Sequence, residues 1–392
     1  MPLLRPKNNP IVVGLNSGTS ADGLDLAAIR IRLNLRKAFV QFLAGQTVAY
    51  PKGLKNRLQE TAENEKAIPL EELIRLDRSL GCFYGDEAAR FCRNLRRKKM
   101  KPEIIASHGH TIRHLPGGVK IRGKKESGSL QLGHPESIAQ STGLTTVADF
   151  RQNDIAAGGE GAPITCFAMW LLFNSNRESR LLVNIGGISN FFLLPRGKPA
   201  EKMEAADCGP GNSLIDIITR RYYSRKFDSG GKLAARGKIS KRLLSMLLSD
   251  NFLKGKYGPS TGRERFGPKF AEKIIKAASR LRLDKTDILA TTTELTAVSI
   301  AHRLKSKISR GKLRQVYLFG GGAKNEFLVN RLKANLPGTD LTTVKKLDVE
   351  PDYLEAICYA IMGTMALRSD RAGLPHITGS TRKTISGRII LP

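Results

Sequence analysis

Short apolar runs that end in glycine-rich turns recur along the chain and predict β-strands. Residues 11–15 form the first run, residues 24–35 alternate apolar and polar side chains, and the turn between them reads NSGTSADG. An apolar run, a turn of small residues and an alternating return are typical of an antiparallel hairpin. Apolar runs at 104–107 and 144–148 predict two more strands in the first half of the chain.

Two segments of the first half have the pattern of helices. Residues 71–95 carry apolar side chains at spacings of three and four, which predicts an amphipathic helix. The apolar segment 162–173 predicts a long buried helix, and it has about half the length that crosses a bilayer. We therefore expect no membrane span. Because only residues 11–14 are apolar near the start of the chain, we also expect no secretory signal.

The second half repeats the opening of the first. Residues 180–185 predict a strand, residues 190–194 its return after the turn GGIS, and a second glycine turn precedes a helix that starts near residue 213. A later strand at 315–319 ends in three glycines. Two halves that each open with a hairpin predict a duplicated α/β unit with a cleft between the copies. Counting elements gives a first domain of 1–149 plus roughly 366–392 and a second domain of 150–365.

The charge of the chain raises the question of a nucleic-acid partner. There are 65 Lys and Arg against 35 Asp and Glu, a net charge of +30, and the densest basic run is RNLRRKKMK at 93–101. Aromatic residues, which stack bases in many nucleic-acid-binding modules, make up only 6%. Basic residues on solvated helix faces explain the charge better, so a nucleic-acid partner is not expected. The rival hypothesis is a non-catalytic protein that keeps the same α/β fold and binds nucleic acid.

The cysteines indicate a reducing compartment. The chain has five of them, widely spaced and without a CxxC pair. An odd number without paired spacing favours reduced thiols over disulfides or a zinc site. We therefore expect a cytoplasmic protein.

Three loops have the composition of phosphate-binding sites. The turn at 17–23 offers backbone N–H groups and hydroxyls in one tight loop, where successive N–H groups form a nest for an anion. The loop DCGPGN at 207–212 directly precedes a helix whose N-terminus attracts anions. The glycines at 320–322 give a third point of close approach. Each signal is weak alone, but the three together are spaced as a split ATPase fold requires.

These and other motifs give the chain a family resemblance. They are GLNSGTSADGLD at 14–25, SHGHTIRH at 107–114, ADFRQNDIAAGGEGAP at 148–163, NIGGISN at 184–190, DCGPGN at 207–212, STGRERF at 260–266, GGGAKN at 320–325 and TGS at 378–380. On these motifs the chain resembles the anhydro-N-acetylmuramic acid kinases of the sugar kinase/actin-like superfamily over nearly its full length. The resemblance implies an α/β, two-domain actin-like ATPase fold, a duplicated ribonuclease H-like unit with the nucleotide cleft between its domains. It further implies ATP and Mg²⁺ as cofactors, no membrane partner, and a possible homodimer.

The resemblance also implies a reaction. Water would open the 1,6-anhydro ring of anhydro-N-acetylmuramic acid, and the released 6-oxygen would take the γ-phosphoryl group of ATP. The product would be N-acetylmuramic acid 6-phosphate, as in the recycling of peptidoglycan. Asp207 would be the general base for the water, and Asp207 and Glu355 would hold the metal. For Glu355 two alternatives stay open, namely a contact to the sugar and a purely structural place in the first turn of a helix.

The resemblance assigns two sets of binding residues. The nucleotide would be bound by residues of the glycine loops: Gly18, Thr19, Ser20, Asp22, Gly23, Asp25, Asn184, Gly186, Gly187, Gly209, Gly211, Asn212, Gly320, Gly321, Gly322 and Asn325. The sugar would be bound by residues from three other segments: Ser107, His108, His110, Thr111, Asp149, Arg151, Gly161, Ala162, Pro163 and Glu355.

Three positions depart from the family pattern. Asn153 stands where the family commonly has a second arginine, Met169 near the usual place of a histidine, and His110 where a glutamine is usual. Asn153 cannot supply the charged fork that suits the lactyl carboxylate of muramic acid. A kinase for a related anhydro sugar without that group, such as levoglucosan, is therefore an alternative. His108 and His110 lie two apart, so both rings would point to one side of a strand, but no third metal ligand accompanies them.

Overall fold

The structure is a computed structural model that describes residues 8–18, 23–34, 36–63, 68–121, 123–255, 261–262, 265–311 and 313–392. The chain divides into two compact units. The first unit comprises residues 1–172 and 353–392, and the second comprises residues 173–352.

The sheet of the first unit is built on the predicted hairpin. Its strands are β1 (Ile11–Ser17), β2 (Leu24–Leu33), β3 (Ala38–Val48), β4 (Pro102–Ile121), β5 (Lys124–Leu132), β6 (Thr145–Ala148) and β12 (Arg388–Ile390). They lie in the order β12-β6-β4-β1-β2-β3, and β5 pairs with β4. β1, β2 and β3 are antiparallel, whereas β4 is parallel to β1 and β6 is parallel to β4.

The sheet of the second unit repeats this arrangement. Its strands are β7 (Arg180–Ile185), β8 (Ile188–Leu194), β9 (Glu204–Pro210), β10 (Gln315–Phe319) and β11 (Asp340–Thr343), in the order β11-β10-β7-β8-β9. β7, β8 and β9 are antiparallel, while β10 is parallel to β7 and β11 is parallel to β10. Both sheets thus contain the ribonuclease H-like order 3-2-1-4-5. The predicted duplicated, actin-like α/β fold is confirmed.

Helices cover both sheets. In chain order they are α1 (Lys52–Glu63), α2 (Leu70–Arg97), α3 (Pro135–Thr142), α4 (Gln152–Ala156), α5 (Cys166–Phe173), α6 (Asn212–Tyr223), α7 (Lys241–Leu248), α8 (Pro268–Arg280), α9 (Lys285–Gly311), α10 (Glu326–Asn335), α11 (Leu354–Leu367) and α12 (Pro375–Thr378). The helix expected after Gly161 is α5, which has only 8 residues because a loop continues to residue 165. In the described parts of the chain no helix is both long and apolar enough to cross a membrane.

Packing of the late helix α11 explains where the units divide. α11 lies so close to β1 that a Cβ atom on Gly14 would collide with the carbonyl oxygen of Ala356. The thiol of Cys358 lies 3.6 Å from the sulfur of Met169, so α5 packs on α11. Both helices therefore belong to the first unit. The first crossing between units falls after residue 172 rather than 149, and the second falls at 353 rather than near 366.

Candidate active site

The first predicted phosphate loop lies at the end of β1. Thr19, Ser20 and Asp22 lie outside the described residues, whereas Gly18 and Gly23 flank them at the strand ends. Asp25, on β2, accepts a hydrogen bond of 2.6 Å from the hydroxyl of Thr47.

A chain of buried hydroxyl groups fixes Ser17, the first residue of this loop. The Tyr50 hydroxyl lies 2.6 Å from that of Tyr84 and donates to the Ser17 Oγ at 2.6 Å, and Ser17 lies 2.9 Å from Nδ1 of His110. If Tyr84 donates to Tyr50 and Ser17 to His110, every one of these hydroxyl protons is used. Burial raises the pKa of Tyr50 to about 12, so its hydroxyl stays protonated and keeps donating at neutral pH. These hydrogen bonds hold Ser17, the last residue of β1, in one position.

The two histidines of the HxH pattern do not face the same side. His108 stacks on Tyr359 of α11 with ring centroids 4.4 Å apart, whereas His110 contacts Ser17. Gly109 between them has a φ of +73°, which breaks the alternation of an extended strand. The expectation that both rings point to one side of the strand is therefore wrong.

Glu355 is connected to the hairpin through an amide. Its Oε2 accepts a hydrogen bond of 2.7 Å from the side chain of Asn16, which pairs across the hairpin with Asp25. Glu355 keeps contact with solvent but lies in dense surroundings, and this desolvation raises the pKa of its carboxyl group. The hydrogen bond from Asn16 lowers the pKa in part, and the charge of Asp25 raises it.

Arg151 connects His108 with the loop that follows α4. Its Nη1 donates to the carbonyl oxygen of Gly161 at 2.7 Å, and its Nη2 lies 3.2 Å from Nε2 of His108. A guanidinium group only donates, so Nε2 of His108 accepts and Nδ1 carries the ring proton. Thr111 lies at a longer distance, 3.4 Å from the same Nε2.

Asp154 is an organising residue that the sequence did not identify. It is fully buried, and its two carboxylate oxygens accept from the backbone N–H of Gly161 at 2.9 Å and from the hydroxyl of Thr378 at 2.7 Å. It thereby joins the GGEGAP loop, with the predicted Ala162 and Pro163, to the late TGS motif. The motif around Asp154 gave no signal of this role, because its partners lie up to 224 residues away.

Three of the predicted sugar-binding residues meet at one cavity of the first unit. The cavity has a volume of about 330 Å³, and Ser107, His108 and Asp149 line it together with Gln131. Asp149 forms an ion pair of 3.1 Å with Arg388. The pKa of its carboxyl group is nevertheless raised, mainly by desolvation. The cavity lies at the carboxyl end of β6 and beside residues 107–109, where the parallel pairing of β4 with β6 ends, and ligands usually bind at this edge of a parallel sheet.

Neither Asn153 nor Met169 is among the residues that line this cavity. Asn153 is exposed and donates to the carbonyl oxygen of Ile385 at 2.8 Å. Met169 is buried against Cys358. Asn153 and Met169 therefore contribute no group to the cavity wall.

In the second unit the glycine loops converge at the ends of β7, β9 and β10. The backbone N–H groups of Gly211 and Asn212 donate to the carbonyl oxygens of Gly187 and Gly186 at 2.9 and 2.7 Å. The Asn212 side chain donates to the carbonyl oxygen of Ile185 at 3.1 Å. Two predicted nucleotide loops are thus joined directly, at the N-terminus of α6.

The third glycine loop packs on the same strand end. A Cβ atom on Gly320 would collide with the side-chain oxygen of Asn184, and one on Gly322 would lie 2.8 Å from Cβ of Ile185. Asn325 has a helix-capping role, because its side chain accepts from the N–H of Leu328 at the start of α10. Gly209, with a φ of +129°, turns the chain just after Asp207.

Asp207 lies on β9, next to the glycine loops at the ends of β7, β9 and β10. It is half-buried, and its Oδ2 accepts a hydrogen bond of 2.7 Å from the backbone N–H of Thr261. Asp207 belongs to the second unit and Glu355 to the first. Within the described part of the chain, no three His, Cys, Asp or Glu side chains form a cluster suited to a metal ion.

The buried histidines predict a loss of stability in mild acid. Burial, and then the charge of Arg151, lowers the pKa of His108 well below 6.5, and the same causes lower that of His114 to about 4. Below pH 6.5 the unfolded chain binds protons that the folded chain does not, so stability falls as the pH falls from about 6.5 towards 4. We expect the melting temperature to decrease over this range, and His114→Gln to make the decrease shallower. Equal slopes for the two proteins would contradict this origin.

Known proteins resemble this chain over nearly its whole length. A family model described as anhydro-N-acetylmuramic acid kinase matches residues 10–392. Anhydro-N-acetylmuramic acid kinase of Caldanaerobacter subterraneus subsp. tengcongensis is 35% identical over 98% of both chains. The enzyme of that name from Xanthomonas axonopodis pv. citri is 35% identical over 97% of this chain and 98% of its own. A ROK family glucokinase structure from Streptomyces griseus aligns with 90% of this chain and 99% of its own, at 10% identity and a TM-score of 0.37. The family model and the two sequence relatives place this chain in the anhydro-N-acetylmuramic acid kinase family.

Proposed function

We propose that this protein is an ATP-dependent kinase that opens the 1,6-anhydro ring of anhydro-N-acetylmuramic acid and phosphorylates its 6-oxygen. The observation that carries the proposal is the position of Asp207. It stands on the DCGPGN loop, beside joined glycine loops and a helix N-terminus that favour phosphate.

In the proposed reaction, Asp207 takes a proton from a water molecule whose oxygen attacks the anomeric carbon. The bond between that carbon and the 6-oxygen breaks, and the 6-oxygen attacks the γ-phosphorus of ATP. ADP leaves, and the sugar keeps a hydroxyl group at the anomeric carbon and a phosphate on the 6-oxygen. A carboxylate is suited to this role because it stays ionised near neutral pH and reaches the proton through one hydrogen bond. The hydrogen bond from Thr261 would hold the carboxylate in place.

We also propose a magnesium ion that is bound mainly through the phosphates of ATP. Mg²⁺ commonly binds one or two protein carboxylates and completes its shell with phosphate oxygens and water, so a cage of protein ligands is not needed. Asp207 and Glu355 are the carboxylates that we assign to it. When bound, the ion would neutralise charge on the transferring phosphoryl group.

Arg151 is the residue that we assign to the lactyl carboxylate. Its guanidinium group is held by Gly161 and His108, and its Nε is buried without a hydrogen-bond partner in the described chain. A charged fork of donors suits a carboxylate. The muramyl sugar is therefore favoured over levoglucosan. We further propose a cytoplasmic location, in keeping with five cysteines that form no disulfide.

The direct test measures ADP release. The purified protein is incubated with ATP and Mg²⁺, with and without anhydro-N-acetylmuramic acid, and the sugar product is identified by mass. We expect ADP release that depends on the sugar and a product heavier by one water and one phosphoryl group. Folded protein that releases no ADP with this sugar would overturn the proposal.

A further inference from the structure

The cavity in the first unit has polar atoms that the proposed reaction does not use. Oγ of Ser107, Nδ1 of His108 and Oε1 of Gln131 are buried, and none has a hydrogen-bond partner among the described residues. All three residues line the same cavity. Leaving a buried polar atom unpaired is unfavourable, so three such atoms around one cavity indicate a place for a polar ligand group.

The neighbours of each atom fix whether it donates or accepts. Because Nε2 of His108 accepts from Arg151, Nδ1 carries the proton and is a donor. The amide nitrogen of Gln131 donates to Oγ of Ser129 at 2.6 Å, so its Oε1 is an acceptor. The hydroxyl group of Ser107 is able to do either. The cavity thus offers one fixed donor, one fixed acceptor and one adaptable group.

The charges around the cavity argue against an anionic ligand group. Asp77, Glu136 and Asp149 contribute three carboxylates to its lining, against one guanidinium group, that of Arg388. Arg388 is paired with Asp149 at 3.1 Å and with Glu136 at 3.2 Å. No positive charge of the lining is left over for a carboxylate or phosphate, so an uncharged polar group fits best.

We propose that Ser107, His108 and Gln131 form a specificity subsite for the acetamido group of the sugar. A secondary amide is uncharged and has one acceptor, its carbonyl oxygen, beside one donor, its N–H. The carbonyl oxygen accepts from His108, with Ser107 as a second donor, and the N–H donates to Gln131. A hydroxyl group in its place carries its donor and its acceptor on one oxygen atom, whereas the amide presents them on two atoms. This assignment rests on the proposed function, and it names the group by which the site selects its substrate.

The test uses two sugars that differ only at carbon 2. These are 1,6-anhydro-N-acetylglucosamine, with an acetamido group, and levoglucosan, with a hydroxyl group; neither has a lactyl group. We expect kcat/KM of the unmodified protein to be at least ~100-fold higher for the acetamido sugar, because the hydroxyl sugar leaves buried polar atoms unpaired. Gln131→Leu and Ser107→Ala should each reduce that ratio by about tenfold or more, mainly by lowering kcat/KM for the acetamido sugar.

Gln152→Leu is the matched control. Gln152 is exposed and also bonds to Ser129, through its carbonyl oxygen at 2.9 Å, but it does not line the cavity. In Gln152→Leu the ratio of kcat/KM for the two sugars should equal that of the unmodified protein. The ratio of two sugars in one preparation is independent of the folded fraction, so a partly unfolded variant still gives an answer.

Two results would overturn the subsite. One is equal kcat/KM for the two sugars in the unmodified protein, and the other is a ratio in both Ser107→Ala and Gln131→Leu that matches Gln152→Leu. In either case, ADP release with anhydro-N-acetylmuramic acid leaves the kinase function standing. No ADP release with any of the three sugars overturns the function itself and the subsite with it.

Discussion

Replacing Asp207 by Asn should reduce kcat by about 10²–10⁴-fold, the usual contribution of a general base. Asn has the same shape and keeps an oxygen that accepts from the N–H of Thr261, so the loop should keep its structure. It cannot take a proton from water. We therefore expect the affinity for ADP to stay within a few-fold of the unmodified protein while turnover is lost.

Glu204→Gln is the control for this substitution. Glu204 lies on the same strand, β9, is exposed and pairs with Lys307. An exposed ion pair contributes little to stability, so this variant should keep normal kcat. Turnover in Asp207→Asn that equals that of Glu204→Gln would remove Asp207 from the role of base.

The sequence predicted strands best where side chains follow a simple burial rule. β10 spans Gln315–Phe319 as expected, because a central parallel strand is buried on both faces and is largely apolar. β4 continues to residue 121 instead of ending near 107. Glycines at 109, 117 and 118 interrupt its pattern, each with positive φ, so the strand could not be recognised beyond its apolar start.

Helix α9 shows that buried polar residues can hide a helix from a prediction based on hydrophobic positions. It runs over 27 residues, and Thr291, Thr292 and Thr293 lie in its buried part. The hydroxyls of Thr292 and Thr293 each donate to the carbonyl oxygen four residues earlier, at 2.8 and 2.9 Å. A threonine that satisfies its own hydroxyl in this way packs like an apolar residue. The pattern of hydrophobic positions therefore gave no prediction for this helix.

Likewise, the sequence predicts some parts of the candidate site and not others. Loops such as DCGPGN indicate phosphate binding by their local composition alone. The contacts that orient side chains are long-range: Glu355 bonds to Asn16 across 339 residues. Gln131 lies in a strand that the pattern did not predict. A single sequence carries no signal for such distant pairs, so the subsite at the cavity could be recognised only from the three-dimensional arrangement of its residues.

Replacing Gly322 by Ala should strongly weaken nucleotide binding and lower the melting temperature, whereas Gly321→Ala should leave the melting temperature unchanged. A Cβ atom at residue 322 would lie 2.8 Å from Cβ of Ile185 and 3.0 Å from Oδ1 of Asn212. Ile185 is fully buried and β-branched, so it cannot rotate away, and overpacking of this kind costs about 1–3 kcal/mol or more. At residue 321 the nearest atom would be Nδ2 of Asn212 at 3.5 Å, an ordinary contact.

Because Asn212 and Ile185 join the glycine loops of the second unit, their displacement at Gly322→Ala should move the loops at 186–187 and 209–212 as well. We expect a loss of ADP affinity of at least ~100-fold, since a phosphate site built from backbone N–H groups depends on their direction. Thermal unfolding and titration calorimetry with ADP measure the two effects separately. Equal melting temperatures for Gly321→Ala and Gly322→Ala would show that the glycine loop at 320–322 does not stabilise the end of β7. Normal ADP affinity in Gly322→Ala would show that the nucleotide does not bind at this edge of the second unit.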